Sequence, residues 1–206
     1  MKKRLIASFI VKNGILVQSI GFKKFLPIGN PKFAIQFISN WDIDEIIFLD
    51  ISATSEARSV NTDYLELLSE NCFVPLTVGG GIRSLLDVKK IIQKGADKVS
   101  LNTHAISNPN LIKDIAKSFG SQSIVISMDC KKEEDGAYQI YSNSGKTPTG
   151  IMPQRWAKQV QELGAGEILL NSIDRDGSKQ GYDTNLIKEV VDNVNIPVNI
   201  AGGVGN

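Results

Sequence analysis

Val78-Gly79-Gly80-Gly81-Ile82 returns 122 residues later as Ile200-Ala201-Gly202-Gly203-Val204. At the same spacing Asp44-Glu45-Ile46-Ile47 returns as Gly166-Glu167-Ile168-Leu169. A third match, at a spacing of 119, sets Ile10-Val11-Lys12 against Asp129-Cys130-Lys131. The matches keep their order, so the chain reads as two homologous halves. Within each half, short β-branched runs alternate with amphipathic stretches. Strands covered by helices lose the alternation of polar and apolar residues, and such runs are what a parallel sheet of βα units produces.

Working outward from the repeat, strands are expected at 5–11, 45–50, 74–78, 98–101, 123–129, 167–171 and 198–201. Helices are expected at 31–41, 84–94, 110–118, 153–163 and 184–193. Pro31 suits a first helical turn, with Phe33, Ile35, Phe37 and Ile38 read as inward. Ser84 reads as a cap, Leu85, Val88, Ile91 and Ile92 as one face, and Gly95 as the stop. Hairpin-like pieces at 15–22 and 138–142 follow the first and fifth strands. About four βα units per half imply an α/β fold, a (β/α)8 TIM-type barrel made of two half-barrel repeats. A doubly wound open sheet offers no reason for the duplication.

One barrel domain is expected over 1–206, with a first half-barrel at 1–120 and an incomplete second at 121–206. After its glycine motif the first half runs on through a helix, a strand and a helix. The second half reaches only Gly203-Val204-Gly205-Asn206. The eighth strand and its flanking helices are expected to be missing, since such barrels typically take about 250 residues.

Composition narrows the function. Hydrophobic residues make up 42% and charged residues 22%, enough for a core and unlike a disordered chain. The net charge of +1 gives no footprint for nucleic acid. Cys72 and Cys130 form no CxxC pair, and His104 is the single histidine, so no metal site, disulfide scaffold or Ser-His-Asp triad is expected. No apolar run reaches the roughly 18 residues of a membrane span. Met1-Lys2-Lys3-Arg4 and the run at 5–11 lack a cleavage pattern. A cytoplasmic protein without a cofactor is the expectation.

In a barrel of this kind the working site lies at the C-terminal ends of the strands. Ile10, Asp50, the 79–81 glycines, Asn102, Thr103, Asp129, Asp174, Asp176, Gly177, Gly202 and Gly203 fall there. Glycine at strand ends lets backbone N–H groups face a phosphate. Two such motifs in equivalent places suit a ligand with two phosphates, although tight turns alone would also use glycine. Asp129 ends an apolar strand and is placed as a general acid or base. At the other strand ends stand Arg4, Glu45, Lys98 and Glu167. They are either a solvated rim or a ring of alternating sign, and periodicity does not choose between the two.

These motifs, with Phe48-Leu49-Asp50-Ile51, Gly95-Ala96-Asp97-Lys98-Val99-Ser100, Phe119-Gly120-Ser121-Gln122 and Ser172-Ile173-Asp174-Arg175-Asp176-Gly177, resemble the HisF family over the whole chain. HisF proteins are cyclase subunits of imidazole glycerol phosphate synthase, in histidine biosynthesis. The resemblance implies a HisH-like glutaminase on the N-terminal face of the barrel and ammonia passing through the barrel. The substrate is a bis-phosphorylated ribulose aminoimidazole-carboxamide, and the products are imidazole glycerol phosphate and aminoimidazole carboxamide ribotide. It implies that Asp129 is catalytic. Gly81, Asn102 and Thr103 match one phosphate site, and Gly177 and Gly203 part of the other. The resemblance places Asp50 and Asp176 among the residues that bind phosphate or substrate. Arg4, Glu45, Lys98 and Glu167 match the gate to the ammonia conduit.

One position departs. The family's second catalytic aspartate falls at Ile10, which is also the repeat partner of Asp129. A loop lysine of the family falls at Gln18, and a strand cysteine at Ser8. An intact gate with half an acid/base pair resembles the HisF-like paralogues of surface-polysaccharide (lipopolysaccharide) gene clusters. So does the stretch from Phe22-Lys23-Lys24-Phe25 to Gly29-Asn30-Pro31. Those paralogues pass ammonia to a third protein, an amidotransferase that turns an acetamido sugar into an acetamidino sugar. A true cyclase of histidine biosynthesis with an altered site is the alternative.

Overall fold

The computed structural model describes residues 3–38 and 41–205 of the chain. Its strands and helices fall into two compact units. The first comprises Met1–Gln18 and Leu26–Ser100. It contains β1 (Ile6–Lys12), the start of β2 (Ile15–Ile20), the end of β3 (Lys24–Gly29), α1 (Pro31–Ile38), β4 (Glu45–Asp50), α2 (Thr62–Ser69), β5 (Leu76–Gly79), α3 (Leu85–Gln93) and most of β6 (Lys98–Leu101). β1, β4, β5 and β6 lie parallel in that order. Ile46, Phe48 and Val78 are almost wholly buried on them.

The second unit comprises Ser19–Phe25 and Leu101–Asn206. It contains α4 (Thr103–Ser107), α5 (Asn110–Phe119), β7 (Ile124–Lys132), β8 (Tyr138–Ser142), β9 (Thr147–Pro148), α6 (Pro153–Glu162), β10 (Glu167–Ser172), α7 (Thr184–Val191) and β11 (Val198–Ala201). β7, β10 and β11 are parallel, and β8 turns back antiparallel on β7. Helix faces at three- and four-residue spacing fill the space beside the sheet: Leu111, Ile112 and Ile115 on α5, Trp156 and Val160 on α6, Leu186 and Val190 on α7.

The fold class is α/β, of the (β/α)8-barrel type. Its parallel strands among the described residues are β1, β4, β5, β6, β7, β10 and β11, and an eighth is not found among them. None of the described helices is long and apolar enough to cross a membrane.

The repeat is visible in the pairing. β1 pairs antiparallel with β2 through Ile10↔Val17 and parallel with β4 through Ile10↔Leu49. β7 does the same with β8 through Asp129↔Tyr141 and with β10 through Asp129↔Asn171. Ile10 and Asp129 therefore occupy equivalent places by topology as well as by sequence spacing.

Several boundaries and faces differ from the sequence expectation. Residues 33, 35 and 37 cannot share one face of a helix with 3.6 residues per turn. Ile35 is fully buried, while Phe33 and Phe37 are exposed. Leu85 is likewise turned out, and Val88 and Ile91 carry the buried face of α3. Pro75 has no N–H for a ladder, and β5 begins only after it. The helix expected over 31–41 is described over Pro31–Ile38, and residues 39 and 40 of the expectation lie outside the described residues. α2 and α4 were not expected; at eight and five residues they are too short for a clear period.

Candidate functional site

Asp129 lies near the C-terminal end of β7, only 6% exposed. Its Oδ1 accepts from Asn171 Nδ2 at 2.7 Å and from Ser127 Oγ at 3.3 Å. Its Oδ2 accepts from Asn102 Nδ2 at 2.9 Å. Alternation along β7 puts Ser127 and Asp129 on one face, and parallel register brings Asn171 of β10 directly opposite. Burial pushes the Asp129 carboxyl up to about 6. The Asn171 and Ser127 bonds pull it down, and the charge of Asp176 adds to the rise. Burial dominates because none of the three donors is a cation. An acid poised there can give or take a proton near neutral pH.

The equivalent place in the first unit is apolar. Ile10 stands opposite Leu49, and neither can donate, accept or ionise. Ser8, the repeat partner of Ser127, is exposed on β1.

The glycine turn after β5 is shaped by its own neighbours. Gly81 has φ +63, and a β-carbon there would collide with the carbonyl oxygen of Arg58. Gly203, after β11, has φ +97 and meets the carbonyl of Gly181 in the same way. Both turns thus need glycine for close backbone approach. Asp50 is taken up by Arg58: Nη1 to Oδ2 is 2.6 Å and Nη2 to Oδ1 is 3.4 Å, with Ser52 N donating to Oδ1 at 3.0 Å. Asp176 Oδ2 accepts from Ser19 Oγ at 2.6 Å and Phe22 N at 3.2 Å, so it anchors the end of β2 and the segment that follows it. Gly177 sits under the same segment, where a β-carbon would approach the Ser19 carbonyl oxygen to 2.7 Å. Thr103 opens α4, and its Oγ1 accepts from Asn143 N at 3.0 Å.

A second cluster gathers at the strand starts of the first unit. Glu45, 1% exposed, opens β4. Its Oε2 accepts from Lys98 Nζ at 2.9 Å and Arg4 Nη1 at 3.2 Å, and its Oε1 from Thr77 Oγ1 at 2.7 Å. Arg4, Glu45 and Lys98 therefore alternate in sign around one buried carboxylate. In the second unit Glu167 opens β10, and its Oε2 accepts from Asn199 Nδ2 at 2.9 Å. Near Arg4, Glu45 and Thr77 in sequence, Leu5, Trp41 and Phe73 are exposed in the segments that lead into β1, β4 and β5.

Sequence reasoning missed Arg58, Thr77, Asn102's bond to Asp129, Asn171 and Asn199. The repeat held a signal for two of them. Thr77 and Asn199 are 122 apart, and both are short side chains with a donor one strand over from a glutamate at the same spacing. No cluster of three or more His, Cys, Asp or Glu able to hold a metal is found among the described residues.

Comparison with known proteins settles the lineage. The family described as "Histidine biosynthesis protein" matches residues 4–206. The subunit hisF2 of Vibrio vulnificus (strain YJ016) is 47% identical over 205 residues, covering 100% of this chain and 75% of that protein. The chain belongs to the HisF family. Among other HisF proteins, the "Imidazole glycerol phosphate synthase subunit HisF" of Alkaliphilus metalliredigens (strain QYMF) is 46% identical over 204 residues, covering 99% of this chain and 81% of its own. That of Pyrococcus furiosus is 45% identical over 205 residues, with 100% and 81% covered.

Proposed function

We propose that this HisF-family chain is the ammonia-receiving subunit of a glutamine-dependent amidotransferase system. It takes ammonia from a HisH-like glutaminase and hands it to a separate amidotransferase acting on a surface-polysaccharide sugar in the cytoplasm. The observation that carries this reading is Ile10. It stands where topology and repeat both call for the partner of Asp129, and an isoleucine transfers no proton. The Arg4–Glu45–Lys98 cluster supports the ammonia role. A buried carboxylate shared by two cations and a hydroxyl is a built arrangement rather than a solvated rim. Glu167 is read as the fourth gate residue. Exposed Leu5, Trp41 and Phe73 give a docking face the large apolar anchors that interfaces favour.

The alternative is a genuine cyclase subunit of imidazole glycerol phosphate synthase. It is favoured by the hydrogen-bonded Asp129 and by the names of the relatives. In either reading the residues assigned to phosphate by the family match are Gly81 in the first unit and Asn102, Thr103, Gly177 and Gly203 in the second, and Asp50 and Asp176 are read as substrate residues.

Turnover decides between the two. The purified protein is given the histidine-pathway substrate and excess ammonium. It is expected to run about 10²–10⁴-fold below a HisF with both aspartates, the contribution of a general acid or base. Turnover at the level of the two-aspartate enzyme would establish the cyclase instead. The gate is tested with the glutaminase bound: Lys98→Ala is expected to raise the ratio of glutamate formed to amidated product. An unchanged ratio would reduce the cluster to a structural ion pair.

A further inference from the structure

The Asp129 carboxylate is held unevenly. Among the described residues, Oδ1 takes two donors, Asn171 Nδ2 and Ser127 Oγ, while Oδ2 takes one, Asn102 Nδ2. A carboxylate oxygen has two lone pairs, so Oδ1 is fully committed and Oδ2 keeps one free. The same Asn171 nitrogen donates to Ser127 Oγ at 3.1 Å, so one amide ties the acid and its second donor together.

The repeat shows that this amide goes with the acid. Asn171 faces Asp129 across β7 and β10, and its equivalent Leu49 faces Ile10 across β1 and β4. The donor is present where the carboxylate is, and absent where the carboxylate is absent. Tyr141 faces Asp129 from β8, Asn102 from the residue before α4, and the charge that reaches it is that of Asp176, after β10.

We propose that Asn171 is the positioning residue of Asp129: it pins Oδ1 against β10 and leaves Oδ2, on the Asn102 side, as the oxygen that carries the proton. When the proton leaves, the Oδ2–H bond breaks, its electron pair stays on Oδ2, and a new bond forms between the proton and an acceptor atom of the ligand. Return of the proton reverses the step. The inference rests on Asp129 being the proton-handling group, and two separate measurements distinguish the two claims.

NMR of 13C,15N-labelled protein is followed from about pH 4 to about pH 8, spanning the range of a raised carboxyl. The side-chain amide signals of Asn171 are expected to move with the midpoint of the Asp129 carboxyl carbon. Asn171→Val removes the donor and is expected to raise that midpoint by about one unit, tenfold in the proton's binding constant. Asn171→Thr has the shape of valine plus a hydroxyl, and is expected to bring the midpoint back towards wild type. A merely structural role would lower the melting temperature of both variants and leave the midpoint in place. An Asn171 amide that ignores the Asp129 titration in the wild-type protein overturns the proposal, whether or not the valine variant folds. So does an Asn171→Val protein that titrates like wild type. Activity of Asp129→Asn tests the other claim: retained turnover would end the proton-handling reading and leave the NMR result standing.

Discussion

Glu45 and Glu167 open repeat-equivalent strands and are held alike, each by a short donor one strand over: Thr77 for the first, Asn199 for the second. At the opposite ends of β4 and β10, where each pairs with the strand before it, the likeness fails. Asp129 and Asn171 form a polar pair, whereas Ile10 and Leu49 form an apolar one. Duplication supplied the same frame twice, and the two ends of that frame have followed different demands. A carboxylate fixed at a strand start is useful in both halves. A buried, hydrogen-bonded carboxylate near the strand's C-terminal end is present in only one. Where a buried acid is retained its neighbours must hydrogen-bond it, because an unsatisfied buried polar group costs about 1–3 kcal/mol. Where the acid is gone, aliphatic neighbours carry no such demand.

The sharpest way to break the comparison is to make the apolar end polar. Ile10→Asp is expected to raise turnover of the histidine-pathway substrate with ammonium, by up to the 10²–10⁴-fold (about 3–5 kcal/mol) that a general acid or base supplies. Asp129→Asn in that background is expected to remove the gain. No gain from Ile10→Asp would mean that the top of the first half has changed beyond this one residue.

The strand starts differ in burial, and removing each glutamate should show it. Glu45→Ala takes away a carboxylate bonded by Lys98, Arg4 and Thr77, and is expected to cost about 3–5 kcal/mol in urea unfolding. Glu167, more accessible than Glu45, is expected to cost less. Equal losses would show that the two halves treat their glutamates as interchangeable.

Asp129 should also mark its half by pH. Its carboxyl is raised to about 6 in the folded protein. The unfolded chain releases that proton at a lower pH than the folded chain does, so stability falls as pH rises from about 4 through about 6. A shift of about two units corresponds to up to about 3 kcal/mol. Asp129→Asn is expected to lose that slope, measured by denaturant unfolding at a series of pH values. An unchanged slope would place the titration elsewhere.

The smallest effect concerns the two short donors. Thr77→Val keeps the shape and leaves Glu45 Oε1 short of its donor, at an expected cost of about 1–3 kcal/mol. Asn199→Leu is expected to cost about 1 kcal/mol, since β11 is less buried than β5. A larger loss at Asn199 would reverse the order of the two halves.

The amino-acid sequence by itself determined the duplication, the βα succession and the chemistry available at each strand end. The repeat at 122 and the apolar runs are local patterns, and a strand or helix period is legible without neighbours. The third match, at a spacing of 119, exposed Ile10 as the odd member of its pair. Tertiary structure alone decided which groups meet. Asn102 reaches Asp129 across 27 residues and Ser19 reaches Asp176 across 157, distances at which only register and loop path bring donors to acceptors. It also decided that Asp50 and Asp176, both read as substrate residues, have their carboxylates bonded by Arg58 and by Ser19 and Phe22. Phe33 and Phe37 read as core because they are apolar, but a helix buries residues by angle, and Ile35 holds the inward position on α1. Identity fixes what a side chain can do, and packing fixes what it faces.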